Sequence, residues 1–595
     1  MTKKHFNKQT ILTIVLIAVV TSLVYANSLK NSFVWDDFML IVNNNFIKSW
    51  RNFPYIFNKS YIAPRSDYLD FETLRTFDSS GEISYRPVCT LSFFIDYSLW
   101  KLSPFGYHLI NLLLHICNAV LLYFFVGLLS KNSKLALLTS LLFALHPVNS
   151  EAVANIHFRE ELLAFLFFLS SFILFVTSSR YAARRRILQY SASLVLFLFS
   201  LFSKEMSVTL PLMLILYDYF FIQKNLKNCL SQSLPRYTGY ILILLFYLWV
   251  QFFVMVNIGN ITASYPGGSF YTNTLTMCKV FATYIYWLVV PVNIYATLPN
   301  EPNLIANSLF DSGVLLSVFL IIICLVIVVK TYKVSKRICF SMLWFLITLL
   351  PVSNIVPITN HIAARYLYIP SAGFCFLTAM LLVNLPGIST SFISKPFLGK
   401  LTRIAVVGIL VSYGIFTIKR NYIWRDNSAI LREMVEYHPN SNIPHKYLGK
   451  YFLQTDNLDK AANEFTQAIT LAPHDASAHN DLGVCYYKQG KPGKAADEFR
   501  QAIKLNPNLA NAYDNLGIVS AVKGAYAESI KYFEQSLRIE PRNLKIYYNL
   551  GRAYYKMGKL DKARKMWLKA LEINPRYKNV QIQLERLQQL NQQAE

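Results

Sequence analysis

Hydrophobic residues are gathered into long runs over the first part of the chain. Runs long enough to cross about 30 Å of hydrocarbon recur up to about Ile418, and none follows. Twelve such runs begin near Ile11, Tyr107, Lys134, Glu161, Ile187, Met206, Tyr237, Asn273, Gly313, Ile338, Ala364 and Ile404. This pattern predicts an α-helical membrane domain over residues 1–425, followed by a water-soluble domain over residues 440–595.

The water-soluble part repeats a pattern with a period of 34 residues. Leu-Gly and Pro keep one register, at Gly449, Gly483, Gly517, Gly551, Pro473, Pro507, Pro541 and Pro575. A large residue that we expect in the core follows each glycine, at Phe465, Phe499, Phe533 and Trp567. This period is typical of the tetratricopeptide repeat, a pair of helices that the glycine allows to approach closely. We expect about four repeats, closed by a capping helix over residues 578–595.

Positive charge between the apolar runs predicts how the membrane domain is oriented. Lys and Arg cluster in six places, expected to be cytoplasmic: near Lys3, Lys131, Arg184, Lys224, Lys330 and Lys395. Both flanks of residues 273–290 almost lack Lys and Arg, so this run is interpreted as a re-entrant or interfacial helix in an external loop over 257–312. Eleven spans then remain, with the N-terminus inside and the repeats outside. A twelve-span arrangement is the alternative, and it breaks the charge rule.

Composition agrees with a membrane protein and excludes several other classes. The chain has 595 residues, 54% of them hydrophobic, which is too apolar for one soluble domain of this length. The net charge of +25 is explained by cytoplasmic loops, so we do not expect nucleic-acid binding. Most of the eight cysteines lie inside apolar runs, which does not indicate a disulfide framework.

Ionisable residues lie beside the predicted spans in several separate segments of the external face. Because such groups are costly near a membrane, they are candidates for function, and we expect them to share one cavity. The segments are the first external loop, over 27–105, and the turns before or after later spans. Their candidate residues are Asp36, Asp37, Arg86, His146, Glu151, Arg159, Glu160, Lys204, Glu205, His361 and Arg365.

This mixture of groups suits sugar transfer from a lipid phosphate. A carboxylate can take a proton from an acceptor hydroxyl, and cations can hold a phosphate leaving group. Each motif also has a structural interpretation: Asp36 as a helix cap, Glu151 and Arg159 as an ion pair, and Lys204-Glu205 as an interfacial turn. No metal site is predicted, because His146 and Glu151 lack the H-E-x-x-H spacing. No Gly-rich phosphate loop follows a strand, so the sequence does not indicate a nucleotide-driven pump. We therefore expect no metal-ligating residues and no cofactor, and the sequence leaves the need for a divalent metal open.

The repeats offer a second candidate surface. A solenoid of stacked helix pairs exposes a concave face that binds an extended peptide or a partner helix. Asp481, Asn515 and Asn549 occupy the same place in successive units, so they are candidates for a polar ladder that holds an acceptor protein. The alternative is that they are ordinary solvated positions.

Several of these motifs together resemble a known family. They are Trp35-Asp36-Asp37, Tyr85-Arg86-Pro87, the run from His146 to Val153, the run from Arg159 to Ala164, Ser203-Lys204-Glu205 and the run from Ala364 to Ser371. They look like those of the transmembrane and tetratricopeptide repeat-containing O-mannosyltransferases. The resemblance covers the whole chain, although animal members often have more repeats.

The resemblance implies an all-α fold, with a membrane domain of the GT-C glycosyltransferase type followed by the repeats. It implies transfer of a mannose-like sugar from a polyprenyl-phosphate donor to a protein hydroxyl on the non-cytoplasmic face. Asp36 or Asp37 would be the general base, and Arg159, Lys204 and Arg365 would be candidates for the donor phosphate. The repeats would hold the acceptor protein.

Two further points stay open at this stage. A non-catalytic membrane-anchored scaffold, whose repeats recruit envelope or secretory proteins, is the alternative function. Short loops and compact repeats favour a bacterial inner membrane over the endoplasmic reticulum, with the repeats on the periplasmic side.

Overall fold

A computed structural model describes residues 7–57, 85–223, 226–254, 265–296, 304–358, 360–385 and 395–594. The chain divides into two compact units, Met1–Ile430 and Leu431–Glu595. The regular elements of the described residues are all helices, so the predicted all-α fold is confirmed. In the two predicted external loops, 27–105 and 257–312, residues 58–84, 257–264 and 297–303 lie outside the described residues.

Helices of the first unit follow the predicted apolar runs. In chain order they are α1 Lys8–Tyr25, α2 Pro87–Trp100, α3 Pro104–Ser130, α4 Ser133–Leu145, α5 Ser150–Ala154, α6 Arg159–Ser178, α7 Ala183–Leu201, α8 Leu210–Tyr217, α9 Leu226–Trp249, α10 Phe270–Val289, α11 Ser312–Val334, α12 Lys336–Leu349, α13 Tyr368–Asn384 and α14 Lys395–Asn421. A further helix, α15 Asn427–Tyr437, contains the boundary between the units.

Eight helical stretches in the described residues are long and apolar enough to cross a membrane. They are Lys8–Lys30, Pro104–Ser130, Arg159–Ser178, Glu205–Ile222, Leu234–Phe253, Ser312–Val334, Ala364–Asn384 and Lys395–Arg425. Three other predicted spans are helices too, but α4 and α12 have only 13 and 14 residues, and α7 begins beside three arginines. The total of eleven spans, and the re-entrant interpretation of α10, stay predictions.

Polar side chains tie together the central helices of the first unit. The Tyr368 hydroxyl, at the start of α13, lies 2.7 Å from His115 Nδ1 and accepts a 3.1 Å hydrogen bond from Asn118 Nδ2, both in α3. Asn118 Nδ2 also donates to the Leu162 carbonyl in α6, at 2.9 Å. Buried polar groups in an apolar environment are stable only when paired in this way. These contacts hold the first turns of α6 and α13 side by side, where the candidate site residues begin.

The second unit contains four helix pairs and a final helix. The pairs are α16 Asn442–Gln454 with α17 Leu458–Leu471, α18 Ala476–Lys488 with α19 Pro492–Leu505, α20 Ala510–Val522 with α21 Tyr526–Ile539, and α22 Leu544–Lys556 with α23 Leu560–Ile573; the last helix is α24 Lys578–Ala594. This arrangement matches the predicted four repeats and the capping helix, whose Val580 and Leu587 pack against Trp567.

Each pair is closed by the predicted glycine and large residue. A Cβ atom added to Gly449 would lie 2.7 Å from the Phe465 ring, and one added to Gly551 would lie 2.2 Å from Trp567. Real Cβ atoms do not approach so closely, so only glycine allows the two helices of a pair to meet at this distance. The period of 34 residues therefore reports a close contact inside each repeat.

Candidate active site

The two adjacent aspartates lie in a tight turn that follows the first span. Asp37 Oδ2 accepts a 2.9 Å hydrogen bond from the Val34 amide, and the Asp37 amide donates to the Val34 carbonyl at 2.9 Å. Between them, Trp35 has a positive φ of 47°, a conformation uncommon for a residue with a side chain. The Trp35 amide donates to Asn427 Oδ1 at 2.8 Å, which holds the turn in place.

The turn gives the two carboxylates different surroundings. Asp37 is fully buried, and this burial raises its pKa to about 8, although the Val34 amide acts in the opposite direction. The Asp36 side chain is 14% exposed, and its Oδ2 lies 3.6 Å from His157 Nε2. Asp36 is therefore the more accessible of the two carboxylates.

His157 was not among the predicted site residues. It lies between α5 and α6, where its amide donates to Asn155 Oδ1 at 3.0 Å, and the Asn155 carbonyl accepts from Asn111 in α3. Burial lowers the pKa of His157, and the charge of Asp36 opposes this effect. In the sequence, the position of His157 beside Arg159 and Glu160 in one motif indicated that it could belong to the site.

Arg159, predicted to bind the donor phosphate, is fully buried among protein groups. Its NH1 lies 2.5 Å from Asp96 Oδ2, its Nε donates to Asn111 Oδ1 at 2.7 Å, and its NH2 donates to the Tyr107 carbonyl at 2.9 Å. The guanidinium also lies 5.1 Å from the centre of the Phe93 ring. These contacts join α6 to α2 and α3, so Arg159 is placed as a structural cation, and its role toward a donor stays a prediction.

A cluster of two cations and three carboxylates lies at the start of α6. Arg86 contacts Glu160, and its NH2 lies 3.0 Å from Glu205 Oε2. Lys204 Nζ lies 2.7 Å from Glu160 Oε1 and 2.7 Å from Glu161 Oε1. Arg86, Glu160, Lys204 and Glu205 were predicted to share a cavity, and the structure brings them into contact. The cluster carries one more negative than positive formal charge.

Arg365 forms a second group beside this cluster. Its NH1 lies 2.8 Å from Glu151 Oε1, and its amide donates to Glu151 Oε2 at 3.3 Å. Its guanidinium stacks 4.1 Å from the centre of the Phe158 ring. The Tyr366 ring lies between the two groups, 4.9 Å from Arg365 and 5.4 Å from Lys204 Nζ.

The three predicted phosphate ligands differ in accessibility. The Arg365 side chain is 9% exposed, whereas those of Lys204 and Arg159 are 1% and 0% exposed. Arg365 is therefore the most accessible of the three cations.

Four consecutive residues join these groups. His157 faces Asp36, Phe158 stacks on Arg365, Arg159 pairs with Asp96, and Glu160 pairs with Arg86 and Lys204. Each of residues 157–160 therefore contacts a different group of the candidate site, and this segment connects those groups.

The two predicted cavity histidines, His146 and His361, lie in different surroundings from each other. His146 Nε2 lies 3.1 Å from the Leu288 carbonyl, and its Nδ1 accepts from the Val148 amide at 3.2 Å, so it connects the end of α4 to α10. His361 is fully buried, and neither ring nitrogen forms a hydrogen bond within the described residues. Burial lowers the His361 pKa to about 4, so its imidazole is neutral at pH 7.

The predicted groove residues of the repeats contact the preceding repeat. Asn515 Nδ2 donates to Asn480 Oδ1 at 2.9 Å, and Asn549 Nδ2 donates to Asp514 Oδ1 at 3.3 Å. Asp481 lies 3.6 Å from Lys450 Nζ. The three side chains do not bond directly to one another. Each instead connects the first helix of its repeat to that of its neighbour.

Comparison with known proteins bears on both parts of the chain. Family models described as tetratricopeptide repeat match residues 448–510 and 544–577, and one described as TPR repeat matches 522–558. The predicted repeats are therefore confirmed. The MamA protein, a solved structure, is 27% identical over 25% of this chain and 81% of its own, with a TM-score of 0.23.

Two curated relatives match more than three quarters of the chain. Protein O-mannosyl-transferase F38B6.6 of Caenorhabditis elegans is 28% identical over 79% of this chain and 64% of its own length. Protein O-mannosyl-transferase TMTC3 of Homo sapiens is 24% identical over 78% of this chain and 52% of its own length. The chain is a homologue of these transferases. The resemblance predicted from the motifs is thereby confirmed, and the chain is a multi-pass membrane protein with tetratricopeptide repeats. It spans about half to two thirds of the length of these relatives.

Proposed function

We propose that the chain is a GT-C glycosyltransferase that moves a mannose-like sugar from a polyprenyl-phosphate donor to a hydroxyl of a protein. The observation that carries this proposal is the placement of Asp36 and Arg365 on either side of His157-Phe158. One group can accept a proton and the other can hold a phosphate. The names of the homologues support the same reaction.

Asp36 is the general base in this proposal. It takes the proton of the acceptor hydroxyl while the hydroxyl oxygen forms a bond to the anomeric carbon of the sugar. The bond from that carbon to the lipid phosphate breaks, and the phosphate leaves with the electron pair. Asp37 fixes the shape of the turn and does not take the proton. Its Oδ2 accepts a hydrogen bond from the Val34 amide, and its side chain is fully buried.

Arg365 holds the phosphate of the donor in this proposal. It is the most accessible of the three candidate cations, and its guanidinium is planar, which suits the oxygens of a phosphate. The stack on Phe158 and the contact with Glu151 limit its rotation. Lys204 and Arg86 position the start of α6 through Glu160.

An apolar cavity suits the lipid chain of the donor. Its volume is about 300 Å³, and α10, α11 and α12 line it with residues that include Phe270, Cys278 and Cys324. Helix α10 connects this cavity to the site, because the Tyr284 hydroxyl accepts a 3.2 Å hydrogen bond from the Ala363 amide, two residues before Arg365. A polyprenyl tail in the cavity would lie along apolar side chains.

The reaction takes place on the non-cytoplasmic face in this proposal, with the repeats holding the acceptor protein. The charge bias of the loops supports this orientation, and the repeats supply protein-binding surface. The proposed location is a bacterial inner membrane, which the short loops and compact repeats favour, and the proposed reaction uses no cofactor.

The test uses purified protein in lipid nanodiscs with a labelled polyprenyl-phosphate mannose and acceptor proteins of the envelope. Asp36→Asn should abolish transfer while the variant unfolds at the same temperature as the parent. Full transfer by Asp36→Asn would overturn the assignment of the base. Retention of an acceptor by the parent without transfer from any lipid-linked sugar would instead support the membrane-anchored scaffold.

A further inference from the structure

The fourth repeat differs from the others in charge. Residues 544–577 contain nine Lys and Arg side chains and two Asp and Glu side chains, a formal charge of +7. The same count gives −1 for residues 442–475, +2 for residues 476–509 and 0 for residues 510–543. The positive charge of the second unit is therefore concentrated at one end of the repeat array.

Part of this charge lies on the face that carries Asn549. Lys545, Asn549, Arg552 and Lys556 are spaced by four, three and four residues along α22, which places them on one side of the helix. The three cations are exposed. The hydrogen bond from Asn549 to Asp514 in α20 shows that this side of α22 adjoins the first helix of the preceding repeat. The cations therefore extend the face that the first helices of the preceding repeats form.

Arg552 and Lys556, two of the three cations of this stripe, differ from the cations at the start of the array, whereas Lys545 interacts with the Asp514 carboxylate of the preceding repeat. Lys446 lies 2.9 Å from Asp475, and Lys450 lies 3.6 Å from Asp481, so both are matched by carboxylates of the next repeat. Within the described residues, Arg552 and Lys556 form no ion pair. The Arg552 guanidinium lies 5.8 Å from the centre of the Tyr548 ring, which supports it without neutralising its charge.

The corresponding positions of α20 carry no charge. They are Asn511, Asn515, Ile518 and Val522, and the Val522 side chain is 63% exposed. An exposed valine on a folded surface loses contact with water when an apolar side chain covers it. The face therefore changes from amide and aliphatic groups on α20 to cations on α22.

We propose that this face of α20 and α22 selects extended acceptor segments that carry an apolar side chain followed by acidic side chains. The apolar side chain covers Val522, the acidic side chains pair with Arg552 and Lys556, and the amides of Asn515 and Asn549 bond to the peptide backbone. Naming the ligand an acceptor rests on the proposed function. A peptide fits better than a membrane surface, because the cations share their stripe with Asn549 and continue a face built from adjoining helices.

The test measures peptide binding to the full-length protein in detergent by fluorescence anisotropy. One labelled peptide contains Leu, three Glu and Ser, and its partner has Gln in place of each Glu. Arg552→Gln with Lys556→Gln should weaken binding of the Glu peptide about tenfold, with little effect on the Gln peptide. The matched control is Lys562→Gln with Lys565→Gln, which removes the same charge from exposed positions of α23 and should leave binding unchanged.

A second variant tests the charge preference of the face beside Val522. Val522→Glu places a negative charge at an exposed position, so it should weaken the Glu peptide more than the Gln peptide without changing the unfolding temperature. Equal affinity for the two peptides, or equal loss in both charge variants, would overturn the proposal. Loss of binding to vesicles of anionic lipid by the α22 variant, with peptide binding unchanged, would instead identify a membrane contact.

Sugar transfer is measured separately on the same preparations. Charge-dependent binding without transfer from any lipid-linked sugar would contradict the proposed function. The same result would still agree with the proposed peptide-binding face. Transfer with no preference for the Glu peptide would contradict the binding face alone.

Discussion

The Nε2 atom of His157 lies 3.6 Å from Oδ2 of Asp36. His157 is held in place by its own amide, which bonds to Asn155, and its ring is buried. In the proposed mechanism, His157 is therefore a positioning residue for Asp36, the proposed base.

Replacing His157 should affect turnover more than donor binding. We expect His157→Ala to lower kcat about tenfold to a hundredfold, because Asp36 loses the group that orients it. His157→Gln keeps a polar side chain beside Asp36 and should recover part of this loss. Steady-state transfer kinetics measure both parameters, and an unchanged kcat in His157→Ala would show that Asp36 does not depend on the histidine.

Asp37 should make stability depend on pH. Burial raises its pKa to about 8 in the folded protein, whereas the unfolded chain has the ordinary value near 4. Between these values the folded state holds one more proton, so its stability falls as pH rises from about 4 to about 8. Asp37→Asn removes this titration and should flatten the decline. Unfolding temperatures across this pH range, at constant ionic strength, check the result; parallel curves for parent and variant would contradict it.

The pair of Arg159 and Asp96 should contribute to stability rather than to donor binding. Asp96→Ala leaves a buried guanidinium without its carboxylate and should lower the free energy of unfolding by about 3–5 kcal/mol. A double variant, Arg159→Met with Asp96→Leu, should recover most of this loss. Denaturant unfolding measures the three variants. A double variant that is stable but has a much higher KM for the donor would show that Arg159 contributes to donor binding.

Arg365 should determine affinity for the donor. Arg365→Lys keeps the charge but loses the planar pair of donors, so we expect the KM for the lipid donor to rise about tenfold. Arg425→Lys is a matched control, because Arg425 is exposed and pairs with its neighbour Asp426. Kinetics with varied donor and saturating acceptor measure the effect. An unchanged donor KM in both variants would place the phosphate elsewhere.

Filling the apolar cavity should impair long-chain donors selectively. Cys278→Trp adds a large side chain to a cavity of about 300 Å³ and should raise the KM for a long polyprenyl donor more than that for a short-chain analogue. Cys117→Trp serves as the control, because Cys117 is exposed on α3. Equal effects on long and short donors would contradict the placement of the lipid.

Local patterns in the sequence determined much of the architecture. The period of 34 residues predicted each helix pair, because the contact of Gly449 with Phe465 lies within one repeat. Apolar runs predicted the membrane helices, because a span must satisfy its own backbone whatever surrounds it. The motifs also indicated which segments would gather, and Arg86, Glu160, Lys204 and Glu205 do meet.

Only the tertiary structure decided which partner each charged group takes. Arg159 and Lys204 carry the same charge at the edge of a span, yet Arg159 meets Asp96 inside the fold, 63 residues away along the chain. Asp36 and Asp37 are neighbours, but the turn at Trp35 buries one and leaves the other beside His157. The strength of an electrostatic contact depends on distance and burial, which are properties of the packed helices and not of the sequence spacing.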